Sequence, residues 1–153
     1  MNKNSLKNIA TEVINLEINA LKILKKSINK NFDKAVNTIV NCQSKIILCG
    51  VGKSGLIAAK IASTLSSVGS PAFSLSANDC LHGDLGSITK KDVLVLISNS
   101  GRSEEIIPIV KFANKNKIKL IGIVSKKNSF LYKSSNIKIL LPDVKESGLG
   151  VVP

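Results

Sequence analysis

The stretch that decides the fold is KIILCGVGKSG, residues 45–55, in which a short apolar run passes directly into a glycine-rich turn. The apolar part, 45–49, has the length and β-branched content of a strand, and residues 53–68 after the turn have helical spacing. The turn also has the Gly-Lys-Ser ending of a P-loop. With Gly52 as the second glycine of that motif, the first would be residue 47, which is Ile47 inside the strand. The P-loop interpretation therefore fails.

The same turn keeps the three glycines of the dinucleotide-binding pattern G-x-G-x-x-G, which are Gly50, Gly52 and Gly55. That pattern also needs an acid about 20 residues later, at the end of the next strand, to hold the ribose hydroxyls. Here the next strand, 71–76, carries serines at its end, and the acid is missing. Nicotinamide and flavin are therefore disfavoured, and no cofactor is predicted. The pattern still indicates a sharp strand-to-helix turn with Lys53 at the helix start.

Length and composition predict one globular domain over residues 1–153. The chain has 153 residues, of which 44% are hydrophobic, and a mean hydropathy of +0.21. Its apolar runs are far shorter than a membrane span, and the N-terminus lacks the apolar block of a signal peptide. We therefore expect a cytoplasmic protein with no membrane partner. Three cysteines without framework spacing fit a reducing compartment.

The net charge of +12, from 22 basic and 10 acidic residues, has two explanations. One is nucleic-acid binding. The other is a compositional bias towards lysine, since Arg102 is the only arginine of the sequence. Aromatic residues make up 3% of the chain, which leaves almost no platform for base stacking. The bias is favoured, so no nucleic-acid partner is predicted, whereas affinity for anionic metabolites is.

Short apolar runs alternate with helical stretches along most of the chain. Runs of this kind are typical of strands buried on both faces. Their alternation with helices predicts a parallel sheet that carries helices on both sides. A long amphipathic helix over 5–28 and a second one ending near residue 42 precede the first strand. The predicted strands are 45–49, 71–75, 92–98, 119–125 and 137–141, and the helices between them are 53–68, 103–116 and 128–134.

The carboxyl ends of the predicted strands carry the polar motifs, and ligands bind at those ends in such a sheet. In SNSGRSEE, residues 98–105, three serines surround Gly101 just before a helix. Free N–H groups at a helix start, with hydroxyls beside them, bind phosphate well. Ser98, Ser100 and Ser103 therefore predict a phosphate site, and the alternative is an ordinary N-cap formed by Ser103. No magnesium-binding carboxylate set accompanies them, which favours a sugar phosphate over a nucleotide.

Four motifs occur in a fixed order along nearly the whole chain: GVGKSG, HGDLG, ISNSGRSEEI and PDVKESGLG. With them the sequence resembles the SIS (sugar isomerase) domain of the arabinose-5-phosphate isomerase family. The resemblance implies a flavodoxin-like three-layer αβα fold with a five-stranded parallel sheet. It implies an isomerase that interconverts D-arabinose 5-phosphate and D-ribulose 5-phosphate on the route to Kdo and lipopolysaccharide. It also implies a homotetramer with sites between subunits. Moving a proton between C1 and C2 requires neither a metal nor an organic cofactor, so no cofactor is predicted.

The resemblance also assigns individual residues. The catalytic roles fall on Lys53, Glu105 and Glu146, and either glutamate is a candidate base for moving a proton between C1 and C2. Lys53 is the candidate for neutralising the developing oxyanion or the phosphate. The implied substrate-binding set is Gly69, Ser70, His82, Ser98, Ser100, Ser103, Pro108, Pro142, Asp143 and Val144. From the residues alone, a solvated Lys53 and a Glu105 that complements a helix terminus explain the pattern equally well.

Three departures from the family pattern shape the expectations. Arg102 stands where an acid commonly follows SNSG, and it either strengthens phosphate attraction or faces water. Ser76 stands where some members carry a metal-ligating histidine, and Cys80 with His82 supplies too few ligands, so no metal is predicted. The family's later segment with another functional histidine is missing, so we expect a truncated, oligomeric or aggregation-prone chain that isomerises poorly. The alternative function is a non-catalytic module that binds a sugar phosphate.

Overall fold

A computed structural model describes residues 5–144 of the chain. Its residues fall into two compact units, which we describe separately: residues 5–28 with 142–144, and Asn29–Leu141. No described helix is both long enough and apolar enough to cross a membrane.

The first unit consists mainly of helix α1, Leu6–Ser27, which confirms the helix predicted over 5–28. The Asn8 N–H donates to Ser5 Oγ over 3.3 Å, so a serine side chain caps the helix start. No residue of α1 is buried, and Leu6 is 86% exposed. Its apolar side chains, which recur at helical spacing, are therefore available to a partner.

The second unit is built around one sheet whose strands all run parallel. Its strands are β1 (Ile46–Gly50), β2 (Ala72–Ser76), β3 (Val93–Ile97), β4 (Lys119–Val124) and β5 (Ile137–Leu140). They lie in the order β2-β1-β3-β4-β5, and every neighbouring pair is parallel. This is the flavodoxin-like order of doubly wound α/β folds. The predicted strands and fold class are confirmed.

Five helices of the second unit connect or flank these strands. They are α2 (Lys30–Val40), α3 (Lys53–Ser67), α4 (Ala77–Cys80), α5 (Ile106–Lys115) and α6 (Phe130–Ser134), and a 3₁₀ turn spans Asp84–Ser87. The sequence predicted all but α4 and the 3₁₀ turn, whose few residues are too short to show a period. Helix α5 begins three residues later than predicted, because Glu104 and Glu105 form a turn ahead of it.

Alternate residues of the strands feed two separate cores, one on each face of the sheet. On one face Ile47 and Leu94 pack in the cluster that includes α5 residues such as Ile109. On the other face Ile46 and Val95 share a cluster with Ala58 of α3 and Ala35 of α2. The sheet is therefore the middle layer of three, as predicted.

One expectation about the strands is wrong. Strand β2 was predicted to be buried on both faces, yet none of its residues is fully buried, and Ser74 and Ser76 are exposed. The reason is its place in the sheet, since β2 is an edge strand that pairs only with β1 among the described strands. Strand β1, which has neighbours on both sides, is buried at all five positions.

A buried carboxylate fixes the end of the sheet at which the strands begin. Asp92 Oδ2 accepts from the Thr89 N–H over 2.6 Å and from Lys45 Nζ over 3.0 Å. The Lys45 N–H and the Thr89 hydroxyl also donate to this carboxylate. Burial by itself raises the pKa of Asp92, but the hydrogen bonds from Thr89, Ser44 and Lys45 outweigh it and lower the pKa below its usual range. The Asp92 carboxylate thus ties the start of β3 to the start of β1.

Candidate functional site

The candidate site lies at the carboxyl ends of β1 and β3. These neighbouring strands lead in opposite directions across the sheet, β1 towards β2 and β3 towards β4, which makes the gap between them the topological switch point. Gly50 pairs in register with Ser76 on one side and with Ile97 on the other. The segments that follow β1, β2 and β3 therefore begin at one level of the sheet. This brings three of the polar motifs to the end of the sheet where the strands finish, here called the carboxyl edge.

The turn after β1 depends on glycine for two different reasons. Gly52 has φ of +56°, a conformation that side chains disfavour. Gly50 lies so close to the start of α3 that an added Cβ would stand 2.7 Å from the carbonyl carbon of Ser54. The helix packs directly on the strand end as a result. Its N-cap is Gly52, which gives no side-chain hydrogen bond. The Ser54 and Gly55 N–H groups donate to the Val51 and Gly52 carbonyl oxygens, so this helix start offers an anion mainly the positive end of its dipole and Lys53.

The segment after β3, residues 98–105, is here called the serine loop. Ser98 is buried, and its Oγ accepts from the Gly101 N–H over 3.0 Å. Ser100 Oγ accepts from the Arg102 N–H over 3.3 Å. Gly101 itself has φ of +61°, which lets the chain reverse within the loop. Two serines therefore shape the loop by binding its own backbone.

The start of α5 is not capped by a side chain. Its N-cap residue is Glu105, which makes no capping bond, so the N-cap considered for Ser103 does not form. The Ile106 N–H donates to the Ser103 carbonyl oxygen over 3.1 Å, and the Ile107 N–H donates to that of Glu104 over 3.2 Å. The backbone N–H groups just before Ile106 and the positive end of the helix dipole together favour an anion at the start of α5.

The serine loop is fastened to the segment after β4. The Ser98 N–H donates to the Ile123 carbonyl oxygen over 3.0 Å, and the Ser125 N–H donates to that of Asn99 over 3.1 Å. The Leu131 N–H donates to the Gly101 carbonyl oxygen over 3.1 Å. These are bonds between backbone groups, and they hold the two loops as one framework whatever the exposed side chains are.

Several predicted site residues meet at this edge of the sheet. Lys53 is the first residue of α3 and is exposed. His82 is exposed and follows α4, which itself follows β2. Glu105 is half-buried at the start of α5, and Pro108 is exposed within the first turn of that helix. A cation, an imidazole and a carboxylate thus accompany the serine loop.

Other predicted residues do not join this group in the structure. Gly69 and Ser70 lie before β2, at the opposite end of the sheet, and the five residues of β2 separate the two ends by about 16 Å. Pro142, Asp143 and Val144 belong to the other compact unit. Glu146 lies outside the described residues. The part that these residues take in a site stays a prediction.

A pair of buried cysteines underlies the edge. Cys49 on β1 and Cys80 on α4 are both free and buried, and their thiols interact. This interaction and burial raise the pKa of Cys49 well above its ordinary value, so the Cys49 side chain stays a neutral thiol. Between residues 5 and 144, no group of three or more His, Cys, Asp and Glu side chains is placed to hold a metal ion.

Sequence reasoning missed one residue that builds the serine loop, Ser129. Ser129 is fully buried, and its Oγ accepts from the Tyr132 N–H over 3.3 Å at the start of α6. Gly101 packs directly against Ser129, so that an added Cβ would stand 2.6 Å from the Ser129 Cβ. The signal available in the sequence was the serine ahead of F-L-Y, a typical N-cap position. Its contact with Gly101 joins two loops that are distant in sequence and carries no local signal.

The fold and site define an α/β domain of the doubly wound class, with a serine-rich loop and a helix start without a side-chain cap at its switch point. The SIS domain model matches residues 39–152, and the chain belongs to the SIS domain family. A protein of Escherichia coli CFT073 solved in complex with arabinose 5-phosphate superposes with a TM-score of 0.91 at 34% identity, over 100% of this chain and 82% of that one.

Two curated relatives extend the comparison. The arabinose 5-phosphate isomerase KdsD of Francisella tularensis is 43% identical over 143 residues, which are 92% of this chain and 44% of the relative. An uncharacterised protein of Rickettsia prowazekii is 38% identical over 149 residues, which are 97% of this chain and 47% of the relative. The chain thus spans less than half the length of these curated relatives.

Proposed function

We propose that this chain is the sugar-phosphate-binding domain of an aldose–ketose isomerase that interconverts D-arabinose 5-phosphate and D-ribulose 5-phosphate. The observation that carries the proposal is the serine loop at the uncapped start of α5, facing the uncapped start of α3 across the switch point. Support also comes from the similarity to the Francisella KdsD and to the Escherichia coli protein that binds arabinose 5-phosphate. The product would feed Kdo and lipopolysaccharide synthesis.

In this proposal the serine loop holds the phosphate of the sugar. The N–H groups at the start of α5 donate to its oxygens, and the hydroxyls of Ser100 and Ser103 add further donors. Ser98 is buried and binds the Gly101 N–H, so its contribution is to hold the loop in shape. Since these groups bind the phosphate equally in substrate and product, they provide affinity and orientation rather than rate.

The chemical step moves a proton between C1 and C2 through an enediolate. A carboxylate removes the proton and returns it to the neighbouring carbon, while the hydroxyl proton passes between O2 and O1 so that the carbonyl group changes place. Glu105 or Glu146 is the candidate for the carboxylate base. The ammonium group of Lys53, at the positive end of α3, stabilises the negative charge that develops on the sugar oxygen. His82 assists ring opening or holds a hydroxyl of the sugar.

The proposal includes a homotetramer with sites between subunits. Gly69 and Ser70 lie at the far end of β2 from the serine loop, so within one subunit they cannot line the same sugar phosphate. A neighbouring subunit would have to supply them. Helix α1, with its uncovered apolar side chains, offers a surface through which copies could associate.

A direct assay tests the activity. The protein is incubated with ribulose 5-phosphate, and the formation of arabinose 5-phosphate is followed, with Lys53→Ala as the catalytic control. Product that forms with the original chain and fails with the variant supports the proposal. A folded protein that binds ribulose 5-phosphate in calorimetry without converting it would instead establish the alternative, a non-catalytic sugar-phosphate-binding module.

A further inference from the structure

A groove with a volume of about 480 Å³ opens on the β4 side of the serine loop. Its lining combines hydroxyl, amide and cationic side chains: Ser100, Arg102, Ser125, Lys126, Lys127 and Asn128. Ser100 belongs to the serine loop, so the groove begins where the proposed phosphate site ends. The function proposed above assigns no role to Arg102, Lys126 or Lys127.

A second hollow of about 440 Å³ continues from the first and shares Arg102 and Asn128 with it. It adds Lys133 and an apolar wall formed by Ile107 and Phe130. No aspartate or glutamate lines either hollow among the residues that the structure describes. Four cationic side chains therefore border two adjoining hollows, and no carboxylate of residues 5–144 lines them.

These cations are carried by a fixed backbone. The bonds from the Ser125 N–H to Asn99 and from the Leu131 N–H to Gly101 join the two loops on which Arg102 and Lys127 stand. Within residues 5–144, neither Arg102 nor Lys127 forms an ion pair. Like charges brought together by a rigid framework raise the local positive potential, and an anion in the groove relieves their repulsion.

The direction of the groove determines which anion fits. In the sheet order, β1 and Lys53 lie on one side of the serine loop, and β4 with the groove lies on the other. In the proposed function the sugar extends from the loop towards Lys53, so it does not use the groove. A second phosphoryl group bonded to the first has room on the β4 side of the loop, where Arg102 and Lys127 line the groove.

We propose that the groove is a second anion subsite, which takes the outer phosphoryl group of a diphosphate whose inner group lies on the serine loop. The ligand class is a compound with two adjacent phosphoryl groups, bound as an effector or competitor rather than as the substrate of the isomerisation. The inference rests on the serine loop as a phosphate site, which is part of the proposed function, but it does not require turnover.

Calorimetry with inorganic pyrophosphate and inorganic phosphate tests the subsite. We expect the original chain to bind pyrophosphate about tenfold more tightly, because two exposed ion pairs of ordinary strength together contribute close to that factor. In Arg102→Gln/Lys127→Gln both affinities should agree within about twofold, with phosphate binding retained. The matched control is Lys34→Gln/Lys60→Gln, which removes the same charge from exposed positions on α2 and α3 and should keep the tenfold preference.

Several results would overturn the subsite: equal affinity of the original chain for both anions, no pyrophosphate binding, a preference that survives in the groove variant, or an equal loss in the control. Raising the salt concentration supplies a measurement without mutation, since screening must reduce the preference of the original chain. The isomerase assay separates the two proposals. Pyrophosphate preference without turnover refutes only the isomerase, and turnover without the preference refutes only the subsite.

Discussion

Gly101→Ala is the substitution that examines the serine loop most directly. Gly101 has φ of +61°, and its Cα faces the buried side chain of Ser129. An alanine at this position would meet two separate penalties. Its backbone would be held in the left-handed region, and its Cβ would stand 2.6 Å from the Ser129 Cβ and 3.1 Å from the Val124 Cγ1.

The two penalties can be estimated separately. The left-handed conformation costs an alanine about 1–2 kcal/mol. The overlap with packed side chains costs about 1–3 kcal/mol, because Ser129 and Val124 are fully buried and have little room to move. Together they lower the free energy of unfolding by about 2–5 kcal/mol. For a chain of this size the melting temperature should fall by about 10 °C.

Thermal denaturation of four variants distinguishes the two penalties. Gly69→Ala is the matched control, since Gly69 has φ of +87° at the end of α3 but no atom within 4 Å of an added Cβ. It should lose only the conformational part, about 1–2 kcal/mol. Ser129→Gly alone loses the cap of α6, and in Gly101→Ala/Ser129→Gly the atoms that the new Cβ meets are gone. The double variant should therefore be more stable than the sum of the two single losses predicts, by about 1–3 kcal/mol.

The reasoning is refuted if Gly101→Ala and Gly69→Ala lose the same stability, because the steric part would then be absent. It is refuted equally if the losses of Gly101→Ala and Ser129→Gly simply add in the double variant, because the clash would then lie elsewhere. Ligand binding adds a functional measurement. Since the Gly101 N–H holds Ser98 and its carbonyl oxygen holds Leu131, the substitution should also weaken ribulose 5-phosphate binding, as calorimetry would show.

Three further predictions concern the site, the sheet and the thiols. Ser100→Ala should weaken ribulose 5-phosphate binding, whereas Lys53→Ala should lower kcat with little change in KM, and an unchanged kcat for Lys53→Ala would contradict the assignment. Asp92→Asn should lower the free energy of unfolding by about 1–3 kcal/mol at neutral pH. Folding lowers the pKa of Asp92, so this contribution is present above the ordinary pKa of about 3.9 and is lost as the pH falls below it. Stabilities of the two proteins that differ above that pH and converge as the pH falls through the lowered pKa of the folded state would confirm the role. A thiol reagent should modify one cysteine of the native protein quickly, because Cys42 is half-buried whereas Cys49 and Cys80 are buried, and three rapid modifications would refute the packing.

The strands were predictable from the sequence because their signal is local. Strand β1 is a run of apolar residues bounded by a glycine, and strands buried on both faces need such runs. The edge position of β2 was not predictable in this way, since exposure depends on which strand lies beside it. The ion pair between Asp92 and Lys45 joins residues far apart in the chain, and no local pattern around either residue predicts it.

The candidate site was only partly predictable for a similar reason. The serines and Lys53 follow strand ends, and the fold class places strand ends together, so their shared edge could be inferred. The start of α5 could not, because the choice between a cap at Ser103 and a turn through Glu105 depends on how the loop is held against Ser129. The places of Gly69 and Ser70 came from resemblance alone, and the structure separates them from the serine loop within one subunit.

The way in which the serine loop is fastened has a consequence for how this domain can change in evolution. The hydrogen bonds between the two loops belong to the backbone, and the buried contact that fixes their spacing belongs to Gly101 and Ser129. The exposed side chains of Arg102 and Lys127 take no part in these backbone bonds or in the buried contact. Replacing them therefore costs little stability. Mutation can therefore alter which anions the edge attracts one residue at a time, while selection for a folded loop acts on different positions. In this domain, different residues determine ligand preference and the folding of the loop, so the two properties can evolve separately.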